Sequence, residues 1–265
     1  METIRINDSR TVIITSGESE QISRSYLIDG QVKLVIIVNG RNETTLNLQV
    51  EVSAGSVFTM LLINHNEQAM QLNDSYRLLS DSNSTIAYCQ LNNYPLTVNS
   101  RYDLAGEGAV LKVQNATVTS VDKHFYQYTE HSERHTAAQI NNYGIVMKRG
   151  FCNFDVRNRI NKGCHGSETH QTSRILTFDS KSKGKILPVL YIDDNDVKAS
   201  HAATMGQPEA DQIFYMQTRG LSRDDALKLI TIGYLMPITE VVKDDEELCQ
   251  KLMEEIESKV NQCLK

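Results

Sequence analysis

The chain has 265 residues, 40% of them hydrophobic and 23% charged, a composition typical of a globular protein with a sizeable buried core. Its formal net charge of −6 is spread without a basic block, which disfavours nucleic acid as the principal partner. No apolar run approaches the roughly 18 residues of a membrane-spanning helix, and the first residues lack the apolar stretch of a signal peptide. We therefore expect a cytoplasmic protein without a membrane partner.

Short strands are predicted from about residue 10 to residue 205. Every second residue is apolar in Leu46, Leu48, Val50 and Val52, which is the alternation of a half-buried strand. Similar apolar runs begin at Thr11, Leu34, Val57, Val110, Ile175 and Ile186. Strands separated by turns and not by helices predict an all-β body, for which a sandwich, a barrel and a β-helix all fit. Few two-residue hairpin signals occur, and this favours the β-helix.

The apolar period changes near residue 206, which divides the chain into a β body over 1–206 and a helical domain over 207–265. Gln207–Glu209 predicts a helix with proline at its first position, ending at Arg219-Gly220. Ser222–Asp225 resembles a capping box at the start of a second helix. A third, amphipathic helix carries on one stripe Cys249, Leu252, Ile256, Val260 and Cys263.

The five cysteines form no C-x-x-C pair, and their odd number argues against a disulfide framework. Cys152 and Cys164 are the candidate thiol ligands. Lys162 and His165 flank Cys164 and could lower the pKa of its thiol. The sequence does not bring the two thiols together, and it lacks the closely spaced cysteines of a ferredoxin motif, so we expect no permanently bound cluster.

Two histidines, His131 and His135, are four residues apart. On a strand such residues share one face but stand about 13 Å apart, too far for a shared metal ion. Because Glu130, Glu133 and Arg134 lie among them, we interpret this stretch as a solvated turn.

The most specific motif lies between Asp193 and Gly233. It reads D-V-K-A-S-H-A-A-T-M-G over 196–206 and continues with Q-I-F-Y over 212–215 and with Arg219-Gly220. Two upstream segments, E-H-S-E-R-H-T over 130–136 and T-H-Q-T-S-R-I-L over 169–176, accompany it. Together these segments resemble the SufB/SufD family of iron–sulfur cluster assembly proteins over roughly residues 120 to 236. SufB members typically read E-H-E-A-T where this chain reads S-H-A-A-T over 200–204, which indicates a SufD-type chain.

The resemblance implies a right-handed parallel β-helix that ends in a small C-terminal α-helical domain. It also implies a SufB-type partner paired through the β-helix, and an ABC-type ATPase, SufC, docked on the helices. His201 would be a ligand for a metal or a transient iron–sulfur cluster at the partner interface, with Ser200 and Thr204 beside it. The candidate docking residues are Gln212, Phe214, Tyr215, Arg219, Leu229 and Tyr234.

The chain has no G-x-x-x-x-G-K-[ST] loop, so it should not hydrolyse ATP, and we predict a scaffold without catalytic residues. It begins with strands almost at once, whereas many SufD proteins carry a further N-terminal helical region, whose interactions are not carried over. Two alternatives stay open. One is a homodimeric SufB/SufD-like paralogue that binds a metal or cluster alone. The other is a polysaccharide-cleaving β-helix enzyme that uses Asp193, Asp194 and Asp196.

Overall fold

The body of the protein is a parallel β-helix in a computed structural model, which describes residues 2–16 and 20–263. Successive strands alternate between two eight-stranded sheets, and each strand pairs in parallel with the strand two positions further along the chain. Paired residues are 26 apart at Asn47 and Asn73 and 31 apart at Asn142 and Ser173. One turn therefore takes two strands, which confirms the β-helix among the three all-β folds that the sequence allowed.

The odd-numbered strands form the first sheet. They are β1 (Thr3–Ile6), β3 (Glu20–Ile28), β5 (Thr44–Val52), β7 (Met70–Leu78), β9 (Leu96–Leu104), β11 (Asp122–His131), β13 (Phe151–Ile160) and β15 (Lys183–Ile192). The even-numbered strands form the second sheet. They are β2 (Arg10–Ser16), β4 (Gln31–Gly40), β6 (Val57–Asn66), β8 (Asn83–Gln90), β10 (Val110–Thr119), β12 (Ala137–Val146), β14 (Glu168–Thr177) and β16 (Lys198–Gly206).

Three α-helices and one 3₁₀-helix follow the last strand. They are α1 (Ala210–Thr218), α2 (Arg223–Leu235), the 3₁₀-helix Met236–Val242 and α3 (Glu246–Cys263). The N-cap half of the predicted capping box is confirmed, because the Ser222 hydroxyl accepts the backbone N–H of Asp225. The Asp225 carboxylate accepts from the same hydroxyl and, among the described residues, not from the Ser222 backbone N–H, so the reciprocal bond of the box is not formed. The predicted proline at the first position of α1 is wrong: the N-cap is Glu209, whose backbone is extended, because residues 207–209 carry the chain off the sheet. Among the described residues, no helix is long and apolar enough to cross a membrane.

The interior of the β-helix is apolar in its first turns and mixes apolar with polar side chains in its last. The alternating residues predicted for β5, from Leu46 to Val52, are buried as expected. Further along, the same inward positions carry the buried side chains of Gln127, Asn142 and Asn158. Asn142 donates to the Gln127 side chain over 2.8 Å, so hydrogen bonds replace part of the apolar packing in these turns.

The helices pack on the outer face of the even-numbered sheet. Leu61 and Val118 of the sheet share one hydrophobic cluster with Leu252 and Ile256 of α3, and Cys249 lies half-buried at its edge. The side chain of Cys263 lies outside the described part of the chain. The helical tail therefore shares a core with the body, while its division from the body at residue 206 remains a proposal.

Ion pairs between described residues also join the tail to the body. Lys33 of β4 pairs with Asp244, and the His65 Nε2 atom of β6 lies 3.0 Å from the Glu255 Oε1 atom of α3. The hydrogen bond to Glu255 raises the pKa of His65, against a smaller opposing effect of burial.

We expect the His65–Glu255 pair to stabilise the tail at low pH and not at high pH. The stabilisation is fully present below the unfolded pKa of about 6.5 and is lost as the pH rises through the higher folded pKa. Because both side chains are partly exposed, the effect should be a few tenths of a kcal/mol. Thermal melts of the wild type and His65→Gln should differ at pH 6 and converge at pH 8.5. A constant difference at both pH values would contradict this assignment.

Candidate functional site

The last turn of the β-helix is formed by β15 and β16, and no described part of the chain covers it. All but the last residue of β16 are exposed, and β15 is exposed or half-buried along its whole length. His201 lies near the middle of β16, directly opposite Gln171 of β14. Gln171 points into the interior, and residues opposite each other in neighbouring strands share a face. The exposed imidazole of His201 therefore lies over the open end of the interior.

The structure separates the three predicted interface residues onto two faces of β16. Ser200 and Thr204 are an odd number of positions from His201, so they lie on the outer face. The Ser200 hydroxyl is 2.7 Å from the His170 Nδ1 atom of the neighbouring strand. Thr204 lies opposite Arg174, beside an open cavity that the helical tail also lines. Of the three, only His201 therefore lies on the face that borders the open end.

Cys152, the first thiol candidate, is buried inside the β-helix. On the inward face of the odd-numbered sheet it lies between its two paired residues on the neighbouring strands, Lys123 and Gly184. Burial raises the pKa of Cys152 to about 12, and the nearby Lys123 lowers it by less. The thiol is therefore protonated at neutral pH, which makes it a poor metal ligand in this conformation.

Cys164, the second thiol candidate, lies in the corner after β13. Its side chain is buried, and its Sγ atom is 3.2 Å from the carbonyl oxygen of His131. Burial and the negative charges of Glu133 and Asp194 raise the pKa of the thiol. The predicted lowering by lysine and histidine is therefore wrong.

The two thiols cannot share one site within the chain. Cys152 lies near the start of β13 and Cys164 lies beyond its end at Ile160, so a strand segment of about 25 Å separates them.

His131 corrects a second prediction, the solvated turn. It is buried at the end of β11, its Nδ1 atom is 2.8 Å from the Thr136 hydroxyl, and burial lowers its pKa to about 4. His135 is exposed in the following turn, as expected. β11 continues to His131, whose side chain points into the interior. Because the last positions of this strand are polar, they lack the apolar alternation that predicts a strand.

The aspartates proposed for a polysaccharide-cleaving site are engaged in a turn. Asp194 accepts the backbone N–H groups of Asp196 and Gly163, which lower its pKa, and Asp193 pairs with Arg159 over 2.6 Å. Within the described residues, no group of three or more His, Cys, Asp or Glu side chains could hold a metal ion. What the site offers is one exposed imidazole at the open end of the interior.

The helical tail exposes most of its predicted docking residues. Of the nine residues of α1 only Ile213 is buried, whereas Phe214 is 67% exposed and Tyr215 is 58% exposed. Leu229 of α2 is half-exposed. Such large exposed apolar groups commonly mark a binding surface.

The other three candidates differ in their contacts. The Arg219 guanidinium lies 5.3 Å from the centre of the Tyr215 ring. Gln212 is exposed and lines the cavity beside Thr204. Tyr234 is half-buried, and its ring packs edge-on against Tyr143 of β12, so much of its surface serves packing.

Comparison with known proteins identifies a family that covers most of the β body and part of the helical tail. The family model "SUF system FeS cluster assembly, SufBD core domain" matches residues 10–234. The chain is 30% identical to the iron-sulfur cluster assembly protein SufD of Bacillus subtilis (strain 168) over 118 residues, 44% of this chain and 27% of that protein. It is 26% identical to SufD of Escherichia coli (strain K12) over 151 residues, 56% of this chain and 35% of that protein.

A SufB protein is also similar. The chain is 26% identical to SufB of Bacillus subtilis (strain 168) over 97 residues, which are 37% of this chain and 20% of that protein. The chain thus spans about a third or less of the length of each of these three relatives.

Proposed function

The chain belongs to the SufBD core family of the SUF system for iron–sulfur cluster assembly, and from this we propose that it is a non-enzymatic, SufD-type scaffold subunit. In this proposal its last turn pairs with a SufB-type protein and its helical tail docks a SufC-type ATPase. The iron–sulfur cluster is the cargo of the complex and is held only transiently at the interface between the paired chains.

The uncovered last turn is the observation that carries the proposal. The backbone groups of the edge strands β15 and β16 can pair with strands of another chain. Exposed apolar side chains, among them Leu187, Ile192 and Met205, add surface that a partner would bury. The motif residue His201 lies on one of these strands, so a partner covering the end would also contact the imidazole.

His201 supplies one ligand at most, so the remaining ligands of a cluster would come from the partner. Imidazole can replace thiolate on iron in iron–sulfur centres, which fits this role. The proposal therefore assigns cluster binding to the assembled pair of chains, with His201 as the contribution of this chain.

We expect His201→Ala to leave folding intact while impairing cluster assembly in cells. The side chain is exposed and makes no hydrogen bond to a described residue, so its loss should change the free energy of unfolding by about 0.5 kcal/mol or less. The measurement pairs a thermal melt with the activity of an iron–sulfur enzyme in a strain that depends on this chain. A large loss of thermal stability would instead assign His201 a structural role.

Co-purification from native lysate at low salt tests the proposal as a whole. The chain should retain a SufB-type protein and a SufC-type ATPase under conditions where a known SufD does so. Retention of neither protein would refute it.

A second candidate is a homodimeric scaffold of the same family. The end formed by β15 and β16 could also face the same end of a second copy, since a twofold contact uses one surface twice. Sedimentation of the purified chain distinguishes the two: a stable dimer favours the homodimer, and a monomer that binds SufB favours the mixed pair.

A further inference from the structure

One corner of the last two turns carries five exposed cations. Lys148 and Arg149 lie in the loop between β12 and β13. Lys181 lies in the corresponding loop one coil further along the β-helix, between β14 and β15. Lys183 and Lys185 follow on alternate positions of β15, so both face outward on the same side of the odd-numbered sheet. The two loops are adjacent, because the backbone N–H of Lys183 donates to the carbonyl oxygen of Gly150. We call these five residues the basic corner.

None of these five cations forms an ion pair with a described residue. The neighbouring arginines of the same sheet differ, since Arg157 pairs with Asp155 and Arg159 with Asp193. The positive charge of the basic corner is therefore not neutralised by paired acids, although the chain as a whole carries a net charge of −6.

Two aspartates lie near the basic corner. Asp122 is exposed and stands opposite Phe151 on the adjacent strand, outside ion-pair distance of the five cations. Asp179 accepts the backbone N–H groups of Lys148, Lys181 and Ser182 and the Ser182 hydroxyl, over 2.7 to 2.9 Å. Its carboxylate therefore organises the turn that presents the lysines.

The backbone of the corner is strained. Lys148 and Arg149 have φ angles of 50° and 71°, two successive left-handed residues that are not glycine. Strained backbone of this kind is found preferentially at functional positions.

Aromatic surface adjoins the cations. Phe151 stands directly opposite Lys183, and its ring lies 5.4 Å from that of His124. Tyr126, next on the outer face of β11, is exposed and stacks on His124. Aromatic residues and arginine are enriched at protein–protein interfaces, and lysines around them attract an acidic partner.

We propose that the basic corner binds an acidic surface segment of a protein partner. Charge complementarity selects an acidic ligand, and the adjacent aromatic rings favour a polypeptide, whose apolar side chains can pack on them. A long nucleic acid or a membrane would also meet the acidic remainder of the chain, which repels it, whereas a protein partner can place its acids only at the corner.

The experiment measures binding of a fluorescein-labelled peptide of ten glutamates by fluorescence anisotropy at low salt. The wild type should bind it, and Lys183→Glu with Lys185→Glu should weaken binding by about tenfold or more. Lys112→Glu with Lys162→Glu is the matched control, because it reverses two exposed, unpaired cations elsewhere and changes the net charge equally. Lys148→Gln with Arg149→Gln tests the same corner without altering β15.

Equal weakening by the control pair, or unchanged binding by both corner variants, would overturn the proposal. A ten-nucleotide single-stranded DNA and vesicles of 30% phosphatidylserine in phosphatidylcholine serve as competing probes. Binding of either through the basic corner, without binding of the peptide, would also overturn it. Circular dichroism of every variant confirms that the β-helix is intact.

Discussion

Replacing Phe214 and Leu229 with aspartate should abolish co-purification of this chain with a SufC-type ATPase. Both side chains are at least half-exposed on the helical tail, so the change should not disturb the core. An aromatic anchor at the centre of an interface contributes about 2 kcal/mol or more, so the double substitution should weaken binding by roughly thirtyfold or more. Isothermal calorimetry with the purified ATPase measures the loss.

The matched control is aspartate at Ile4 and Ile13. These apolar residues are also exposed, but they lie on β1 and β2 at the opposite end of the β-helix. The control variant should bind the ATPase like the wild type. If both variants weaken binding equally, the effect comes from net charge or solubility, and the helical tail is not the docking surface.

The β body and the helical tail could be predicted because their local patterns persist over many residues. Alternation in β5 and the N-cap at Ser222 depend on neighbours in sequence, and both are confirmed. The start of α1 was placed too early because a proline can precede a helix as well as begin it. The packing of the tail on the even-numbered sheet depends on contacts between residues far apart in sequence. His65 and Glu255, for example, are 190 positions apart, and no local pattern encodes such a contact.

The candidate site was less accessible to sequence analysis. The motif identified His201, but only the strand register shows that Ser200 and Thr204 face the other way. The basic corner was missed because its cations lie in two segments about 30 residues apart, which become neighbours only through the length of one turn. Neighbours on the surface of a β-helix lie one turn apart in sequence, and the number of residues in a turn changes along this chain.

A buried carboxylate organises the interior in the middle of the β-helix. Asp74 is fully buried, and its Oδ2 atom accepts hydrogen bonds from the hydroxyls of Tyr76 and Tyr88 over 2.9 and 2.5 Å. The Tyr88 hydroxyl is also 2.9 Å from that of Tyr102, and the rings of Tyr76 and Tyr102 stack 5.3 Å apart. Three tyrosines from three successive strands are thus linked to one acceptor, Tyr102 through Tyr88.

Asp74→Leu should destabilise the protein by about 3–5 kcal/mol, because it leaves tyrosine hydroxyls buried without their acceptor. The melting temperature should fall by about 10 °C. Asp74→Asn is the matched control: it keeps an acceptor oxygen and the side-chain volume, so it should cost about 1 kcal/mol. If the two substitutions prove equally mild in urea unfolding at pH 7, the network is not an important source of stability.

The stability of the wild type and of Asp74→Asn, compared over a range of pH, should reveal the ionisation of Asp74. Burial raises its pKa, and the hydrogen bonds from Ser100, Tyr88 and Tyr76 oppose this shift only in part. The folded state therefore holds the proton more tightly than the unfolded chain, whose pKa is about 3.9. Above that pH the wild type should lose stability relative to Asp74→Asn, until the pH passes the higher folded pKa and the difference becomes constant. A difference that does not vary with pH would mean that Asp74 has the same pKa in the folded and unfolded states, so that its hydrogen bonds fully offset the effect of burial.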